Sequence, residues 1–313
     1  MALLFSSKND DPDEWRAAMA RELPDHEFRV WTPDGENVGD PADIDYALVW
    51  GPKKGALRAL PNLKAIFSLG AGVDHLMDGR DLPPGVPVVR LVDPGLTRGM
   101  SEYVVYWVLH HHRDFGAYAR MVESKGWDRL DQAGAGERRV GILGLGVLGI
   151  DAVAKLRPFG FDVRGWSRSP KKLEGVETFH GKDGLEAFLK ATEILVCLLP
   201  LTPETTGIID AGTIARMPKG GVIINAARGG HVVDEDLIEA LDGGHLAAAT
   251  LDVFHAEPLP DDHPFWAHPK ITVTPHMASR TAPATAAKAV AENIRRMENG
   301  EPPGPIVEMT LGY

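Results

Sequence analysis

Cysteine is nearly missing from this chain of 313 residues: there is one, Cys197, in the apolar run EILVCLLP. A lone cysteine permits no intrachain disulfide, and its apolar setting reads as a core thiol of a reducing compartment. Positive charge is also short, with 33 Lys and Arg against 44 Asp and Glu and a net charge of −11. That balance argues against binding nucleic acid through a general basic surface, so an anionic ligand has to be met by particular arginines. Long apolar runs are lacking as well. The N-terminal ALLF meets KNDDPDEW at once, too short for a signal segment, and VGILGLGVLGI is too short and too rich in glycine to span a membrane. No internal repeat or low-complexity tract interrupts the chain. The expectation is a cytoplasmic protein with neither a nucleic-acid nor a membrane partner.

What is present is a regular alternation of β-rich runs and helical patterns, the signature of parallel sheets with covering helices. The first third offers ALLF, EFRVW, YALVW, KAIFSL and VPVVRL as strands, with DPDEWRAAMAREL as a helix that spaces Trp15, Met19 and Leu23 along one face. A break at Pro94-Gly95 precedes a long helix from about Gly99, MSEYVVYWVLHHHRDF. A second series follows in RRVGILG, FDVRGW, EILVCLL, GVIINAA, HLAAATLDV and KITVTP, each a continuous apolar run suited to a strand covered on both faces. The last helix, APATAAKAVAENIRRMENG, reaches a C-cap at Asn299-Gly300. The predicted fold class is α/β: two doubly wound parallel-sheet domains with the active site in the cleft between them.

The first motif is Gly144-Leu-Gly146-Val-Leu-Gly149, a full G-x-G-x-x-G between a strand-like and a helix-like run. Gly144 serves the tight turn, Gly146 lets a pyrophosphate approach bare backbone, and Gly149 lets helix and strand pack closely. The N–H groups of the helix start, at Val147 and Leu148, face the anion. Ile150, Val153 and Ala154 are expected to point inward.

Beyond the next strand, where an acidic residue often meets the ribose of NAD, stands GWSRS. Ser167, Arg168 and Ser169, with Lys171 and Lys172 behind them, cannot act as that acid. A guanidinium pairs instead with a 2′-phosphate, so the stretch predicts NADPH as the preferred cofactor, with NADH possible.

Three further residues sit at the ends of later strands. Arg228 follows IINAA, Glu257 lies in LDVFHAEPL and His276 ends ITVTPH. A 2-oxo acid needs a cation to orient its carboxylate and carbonyl, which Arg228 supplies. Reduction builds charge on the carbonyl oxygen and calls for a general acid, which suits His276. A carboxylate at Glu257 would favour the imidazolium and fix its orientation.

The order GLGVLG, LLPLTPET, NAARGG, LDVFHAEPLP and TPH resembles the D-isomer-specific 2-hydroxyacid dehydrogenases over essentially the whole chain. SLGAGVDHL and GWSRSPKK look like the glyoxylate/hydroxypyruvate reductase A branch of that family. The resemblance implies Arg228 as the substrate-orienting cation, His276 as proton donor and Glu257 as its partner. It implies Asp252 as acceptor for the nicotinamide carboxamide, and Leu199, Pro200 and Ala226 as further cofactor contacts. The backbone of Ala71 and Gly72 would receive the substrate carboxylate, while Trp50 and Met100 line the pocket. It also implies a discontinuous substrate domain, residues 1–98 plus 283–313, around a nucleotide domain of 99–282. A homodimer built around the helix near residues 99–115 is implied too, although an apolar YVVYWVL packed in its own subunit would look the same.

The expected reaction is therefore NADPH-dependent reduction of glyoxylate, hydroxypyruvate or a similar short 2-oxo acid to the D-2-hydroxy acid. The alternatives are an NADH-linked dehydrogenase for a bulkier substrate and a dinucleotide-sensing interaction protein of the same fold. Glu257 stands where a formate-dehydrogenase-like chain would carry Gln. Little chain follows the last helix, which leaves no room for the regulatory domain of many phosphoglycerate dehydrogenases. No metal is expected: His110, His111 and His112 point about 100° apart on a helix and read as capping and dipole contacts. His263 and His268 belong to a loop packed by Phe265 and Trp266.

Overall fold

The computed structural model describes residues 1–31, 39–77 and 81–313. They form two compact units: Met1–Leu96 with Arg280–Tyr313, and Thr97–Ser279.

The first unit runs β1 (Ala2–Ser7), α1 (Pro12–Glu22), β2 (Glu27–Val30), β3 (Ile44–Trp50), β4 (Ala65–Ser68), α2 (Asp74–Met77) and β5 (Val88–Val89). Asp11 caps α1 by accepting from the N–H of Asp13 at 2.9 Å, and Pro12 needs no N–H of its own there. The five strands are parallel in the order β2-β1-β3-β4-β5. Leu4, Ile44, Ala47, Val49 and Ile66 are buried in its core.

The chain leaves this unit through α3 (Pro94–His112), the unit boundary falling inside the helix. Pro94 and Gly95, expected as a break, are its first turn. Asp93 accepts from the N–H of Leu96 at 2.8 Å, so it caps the helix, and proline is well suited to the position that follows a cap.

The second unit continues with α4 (Phe115–Glu123), β6 (Arg139–Leu143), α5 (Val147–Leu156), β7 (Asp162–Ser167), β8 (Glu177–His180), α6 (Gly181–Lys190) and β9 (Ile194–Cys197). There follow α7 (Ala211–Arg216), β10 (Gly221–Asn225), α8 (Asp234–Asp242), β11 (Leu246–Leu251) and β12 (Ile271–Val273). Finally α9 (Pro283–Glu298) returns to the first unit and ends at Asn299.

The seven strands are parallel in the order β12-β11-β10-β9-β6-β7-β8, which reverses direction between β6 and β9. Alternation along the strands divides the apolar residues between two layers, Leu195, Cys197 and Ile223 on one face and Ile194, Val196, Val222 and Ile224 on the other. Both faces are covered, which is why these strands read as unbroken apolar runs. Burial pushes the Cys197 thiol up to about 12, so it stays protonated and inert.

Two further expectations change. The inward residues of α5 are Gly149, Ala152, Val153 and Leu156, while Ile150 and Ala154 are exposed, because the helix starts at Val147 and sets its face from there. VPVVRL yields only the two-residue β5.

Among the described residues, no helix is long and apolar enough to cross a membrane.

Candidate active site

Six parallel strands of the second unit deliver chemistry-bearing residues at one edge of the sheet. Gly144 follows β6, Arg168 follows β7, Leu199 and Pro200 follow β9, Arg228 follows β10, Asp252 follows β11 and His276 follows β12. Carboxyl ends of strands beside a reversal in strand order are where doubly wound sheets take ligands.

The glycine loop has the shape its spacing implies. Gly144 sits at φ 116°, a conformation that favours glycine, and a Cβ there would approach the Leu198 backbone to 2.8 Å. A Cβ at Gly149 would lie 1.9 Å from the Gly144 carbonyl oxygen, so α5 packs against the turn only because that Cβ is missing. At Gly146 nothing lies within 4 Å of the Cβ position, leaving its face open in front of the α5 N-terminus. A dinucleotide pyrophosphate fits this combination of open backbone and helix N–H groups.

At the end of β7, Arg168 and Ser169 are exposed while Ser167 is buried. The Ser167 hydroxyl donates to the carbonyl of Ser169 at 2.8 Å, so its proton closes its own turn. β8 pairs with β7 in a register that sets His180 opposite Ser167, which carries Lys182 toward the same edge. The Glu204 carboxyl is held below its ordinary range by its own N–H and the Thr202 hydroxyl, against slight burial, and then by the charges of Arg168 and Lys182. A lysine beginning an exposed helix carries no distinguishing pattern in the sequence; only the register places Lys182 here.

Arg228 leads a turn whose close approach to the next strand end depends on glycine. A Cβ on Gly229 would fall 2.0 Å from the carbonyl carbon of Phe254. Asn225 donates to the Arg228 carbonyl at 2.8 Å, and the Arg228 guanidinium donates to the carbonyl of Ala227 at 2.7 Å. His231, fully buried, accepts from the Arg228 N–H through Nδ1 at 3.2 Å and reaches the Pro200 carbonyl through Nε2 at 3.2 Å. Those partners fit the Nε2–H tautomer, which ties the Arg228 turn to the loop after β9.

Beside that turn, Glu257 and His276 meet at 2.6 Å, carboxylate Oε2 to imidazole Nδ1. The other Glu257 oxygen accepts from the N–H of Phe254 at 3.0 Å. Burial pushes this carboxyl up, but the His276 and Phe254 hydrogen bonds and the charges of His276 and Arg228 outweigh it and hold it below its ordinary range. With Nδ1 engaged, Nε2 is the ring atom left to face a substrate.

His276 itself has φ 49°, in the left-handed region that costs a non-glycine residue on the order of 1–3 kcal/mol. Asp252 sustains the conformation. Its carbonyl accepts from the His276 N–H at 2.8 Å, and its carboxylate accepts from Thr274 Oγ1 at 2.5 Å and from the N–H groups of Met277 and Ala278 at 2.9 and 2.8 Å. Burial raises the Asp252 carboxyl despite these donors. Because Thr274 donates to Asp252, the hydroxyl of Tyr103 in α3 donates to Thr274 in turn, at 2.8 Å. Tyr103, Thr274 and His231 carry no motif in the sequence. They support the site across long stretches of chain, and no local spacing announces that.

Ala226 and Leu199 are buried at the ends of β10 and β9, and Met100 is packed in the core with Tyr103, Val104 and Ala278. In the first unit Trp50 ends β3, and Ala71 and Gly72 lie in the loop after β4. The fully buried Ser68 hydroxyl lies 3.0 Å from the carbonyls of both Gly70 and Gly72. A trans peptide aims N–H opposite to C=O, so the Ala71 N–H points away from Ser68. Among the described residues, no acceptor pairs with the N–H of Ala71 or Gly72.

The three adjacent histidines diverge. His111 meets Thr250 Oγ1 at 2.8 Å, His112 packs edge-on against Phe161, and His110 lies against Trp107. Burial lowers all three, so they are not the cations that a dipole contact would use. Among the described residues, no group of His, Cys, Asp or Glu is arranged to hold a metal ion.

Residues 105–278 match the sequence model of the D-isomer specific 2-hydroxyacid dehydrogenase NAD binding domain. Glyoxylate/hydroxypyruvate reductase A of Serratia proteamaculans is 43% identical, the alignment covering 100% of both chains. A D-isomer specific 2-hydroxyacid dehydrogenase from Xanthobacter autotrophicus Py2, crystallised with NADPH and MES, is 47% identical with a TM-score of 0.97, over 100% of this chain and 99% of that one. An NADPH-dependent glyoxylate/hydroxypyruvate reductase from Sinorhizobium meliloti, crystallised with NADP and sulfate, is 42% identical with a TM-score of 0.93, over 100% of both.

Proposed function

The chain belongs to the D-isomer-specific 2-hydroxyacid dehydrogenase family, and from that premise we propose that it reduces glyoxylate, hydroxypyruvate and similar short 2-oxo acids with NADPH. The product is the D-2-hydroxy acid where it is chiral. The observation that carries this reading is the 2.6 Å Glu257–His276 pair, set beside the turn that bears Arg228.

The glycine loop and α5 N-terminus hold the pyrophosphate, with Ala226, Leu199 and Pro200 along the strand ends. Arg168 and Ser169 meet the 2′-phosphate, and Lys182 adds a second cation. Asp252 accepts from the carboxamide while bracing the His276 turn. When bound, the cofactor supplies the hydride.

Arg228 orients the oxo acid through its paired N–H groups, and the N–H groups of Ala71 and Gly72 receive its carboxylate. Trp50 lines the pocket. Negative charge that grows on the substrate oxygen is met by the Nε2 proton of His276, which transfers to it. Glu257 holds the imidazole by Nδ1, turned so that Nε2 faces that oxygen.

The substrate-binding domain is taken as residues 1–98 with 283–313, the nucleotide domain as 99–282. The site of action is taken as the cytoplasm, where a reduced, buried thiol and NADPH chemistry belong. The working form is a homodimer. Of YVVYWVL, Tyr103, Val104, Trp107 and Val108 are buried within their own subunit; the apolar surface left over is Tyr106, Phe115, Val122 and Trp127, the last 98% exposed. A second copy covers these residues.

The test is loss of absorbance at 340 nm with NADPH and glyoxylate. His276→Ala should lower kcat by roughly 10²–10⁴-fold with NADPH affinity unchanged, as befits loss of a general acid. Unchanged turnover would sink the assignment.

A further inference from the structure

In the first unit, the loop between β4 and α2 does more than offer two N–H groups. Leu69 donates its N–H to the Val49 carbonyl at 3.0 Å, so the loop starts level with the end of β3, where Trp50 stands. The six-membered ring of Trp50 lies directly across Gly70: a Cβ there would come within 2.6 Å of Cζ3 and 3.1 Å of Cη2. Glycine is required at residue 70 by this contact, because any side chain would evict the indole.

The same indole meets His75, ring centroid to ring centroid at 4.1 Å with planes inclined by 43°. His75 is held in place by its neighbours. Val73 and Leu76 on either side are buried in the core of the unit, and the N–H groups of Leu76 and Met77 return to the Val73 carbonyl at 2.9 and 3.3 Å. Both ring nitrogens of His75 are shielded from solvent. The loop itself is braced by Ser68 from within and by Thr281, whose hydroxyl donates to the Leu69 carbonyl at 2.6 Å.

We propose that His75 is a positioning residue that clamps Trp50 over Gly70, making the indole a fixed wall that confines the enzyme to 2-oxo acids with little or no side chain. The inference rests on the reading of the protein as a 2-oxo acid reductase. Its physical basis is the shortness of the connection between wall and anchor. The N–H groups at residues 71 and 72 are the immediate neighbours of Gly70, so a carboxylate received there leaves room for a hydrogen or hydroxymethyl group on the carbonyl carbon. A branched or aromatic side chain has to displace the indole, and the His75 ring resists that displacement. Trp50 touches substrate; His75 acts only through Trp50.

The experiment compares wild type, His75→Ala and His75→Phe, the last retaining a flat ring against the indole. Steady-state rates are measured with glyoxylate and with phenylpyruvate, and NADPH affinity by fluorescence titration. For His75→Ala, the ratio of kcat/KM for phenylpyruvate to that for glyoxylate should rise by about tenfold or more, the scale at which pocket shape discriminates apolar groups. The loss on glyoxylate should fall mainly in KM, with NADPH affinity unchanged, and His75→Phe should keep the wild-type ratio.

A second readout does not depend on turnover: the fluorine resonance of Trp50 in 5-fluorotryptophan-labelled protein, assigned with Trp50→Phe. It should be a single narrow line in wild type and His75→Phe and a shifted or broadened line in His75→Ala. An unchanged substrate ratio or an unchanged Trp50 resonance in His75→Ala overturns the proposal. If wild type reduces no 2-oxo acid, the reductase reading fails instead, and the resonance alone decides whether the clamp exists.

Discussion

At Glu257 two effects oppose one another on a single carboxyl. Burial favours the neutral acid, but the hydrogen bonds from His276 and Phe254 and the nearby positive charges win, so the group stays ionised at neutral pH. A carboxyl lowered on folding stabilises the native state above its ordinary range and loses that contribution as pH falls through its lowered value. Glu257→Gln should therefore weaken thermal stability at neutral pH, with wild type and variant converging in strong acid. The same substitution replaces the carboxylate that holds His276 by Nδ1, so kcat for reduction should fall with NADPH affinity unchanged; an unaltered kcat would contradict the role given to Glu257. If Arg168 meets the 2′-phosphate as proposed, Arg168→Ala should cut the kcat/KM preference for NADPH over NADH by about tenfold or more, with NADH rates little changed.

Among the elements, α3 shows how one helix serves several ends. Its capped start reads as a break because Pro-Gly is a turn signal, and only the Asp93 carboxylate over the Leu96 N–H turns it into a helix origin. Farther along, Tyr103 reaches Thr274 and so supports the turn of His276. At the far end His111 is driven inward against Thr250, and burial lowers its pKa from 6.5 to about 3. The unfolded chain takes up this proton below about 6.5 whereas the folded chain waits until about 3, so stability falls as pH drops across that window. His111→Gln should flatten the dependence of Tm on pH between those limits, measured by calorimetry; an unaltered slope would show that the imidazole is not the sensor.

For the molecule as a whole, the exposed side chains of Tyr106, Phe115, Val122 and Trp127 are the apolar surface on which the proposed homodimer rests. Val122→Glu with Trp127→Glu should convert a dimer to a monomer in sedimentation velocity, leaving each unit folded; a wild type that sediments as a monomer would refute the assembly. The parallel direction of the seven strands sets six strand ends, and the residues that follow them, along one edge, and the reversal of strand order between β6 and β9 divides them into two sets. The alternation of strand and helix, the glycine loop and the positions of Arg228, Glu257 and His276 beyond strand ends are legible in the residue order alone. Each is a local pattern, carried by neighbouring residues or by a fixed period. It took the folded chain to show that the Asp252 carboxylate braces the His276 turn, that His231 ties Arg228 to Pro200, that His75 packs on Trp50 and that Ile150 faces outward. Those outcomes depend on strand register, helix phase and close backbone approach, which join residues far apart in the chain and which no spacing rule encodes.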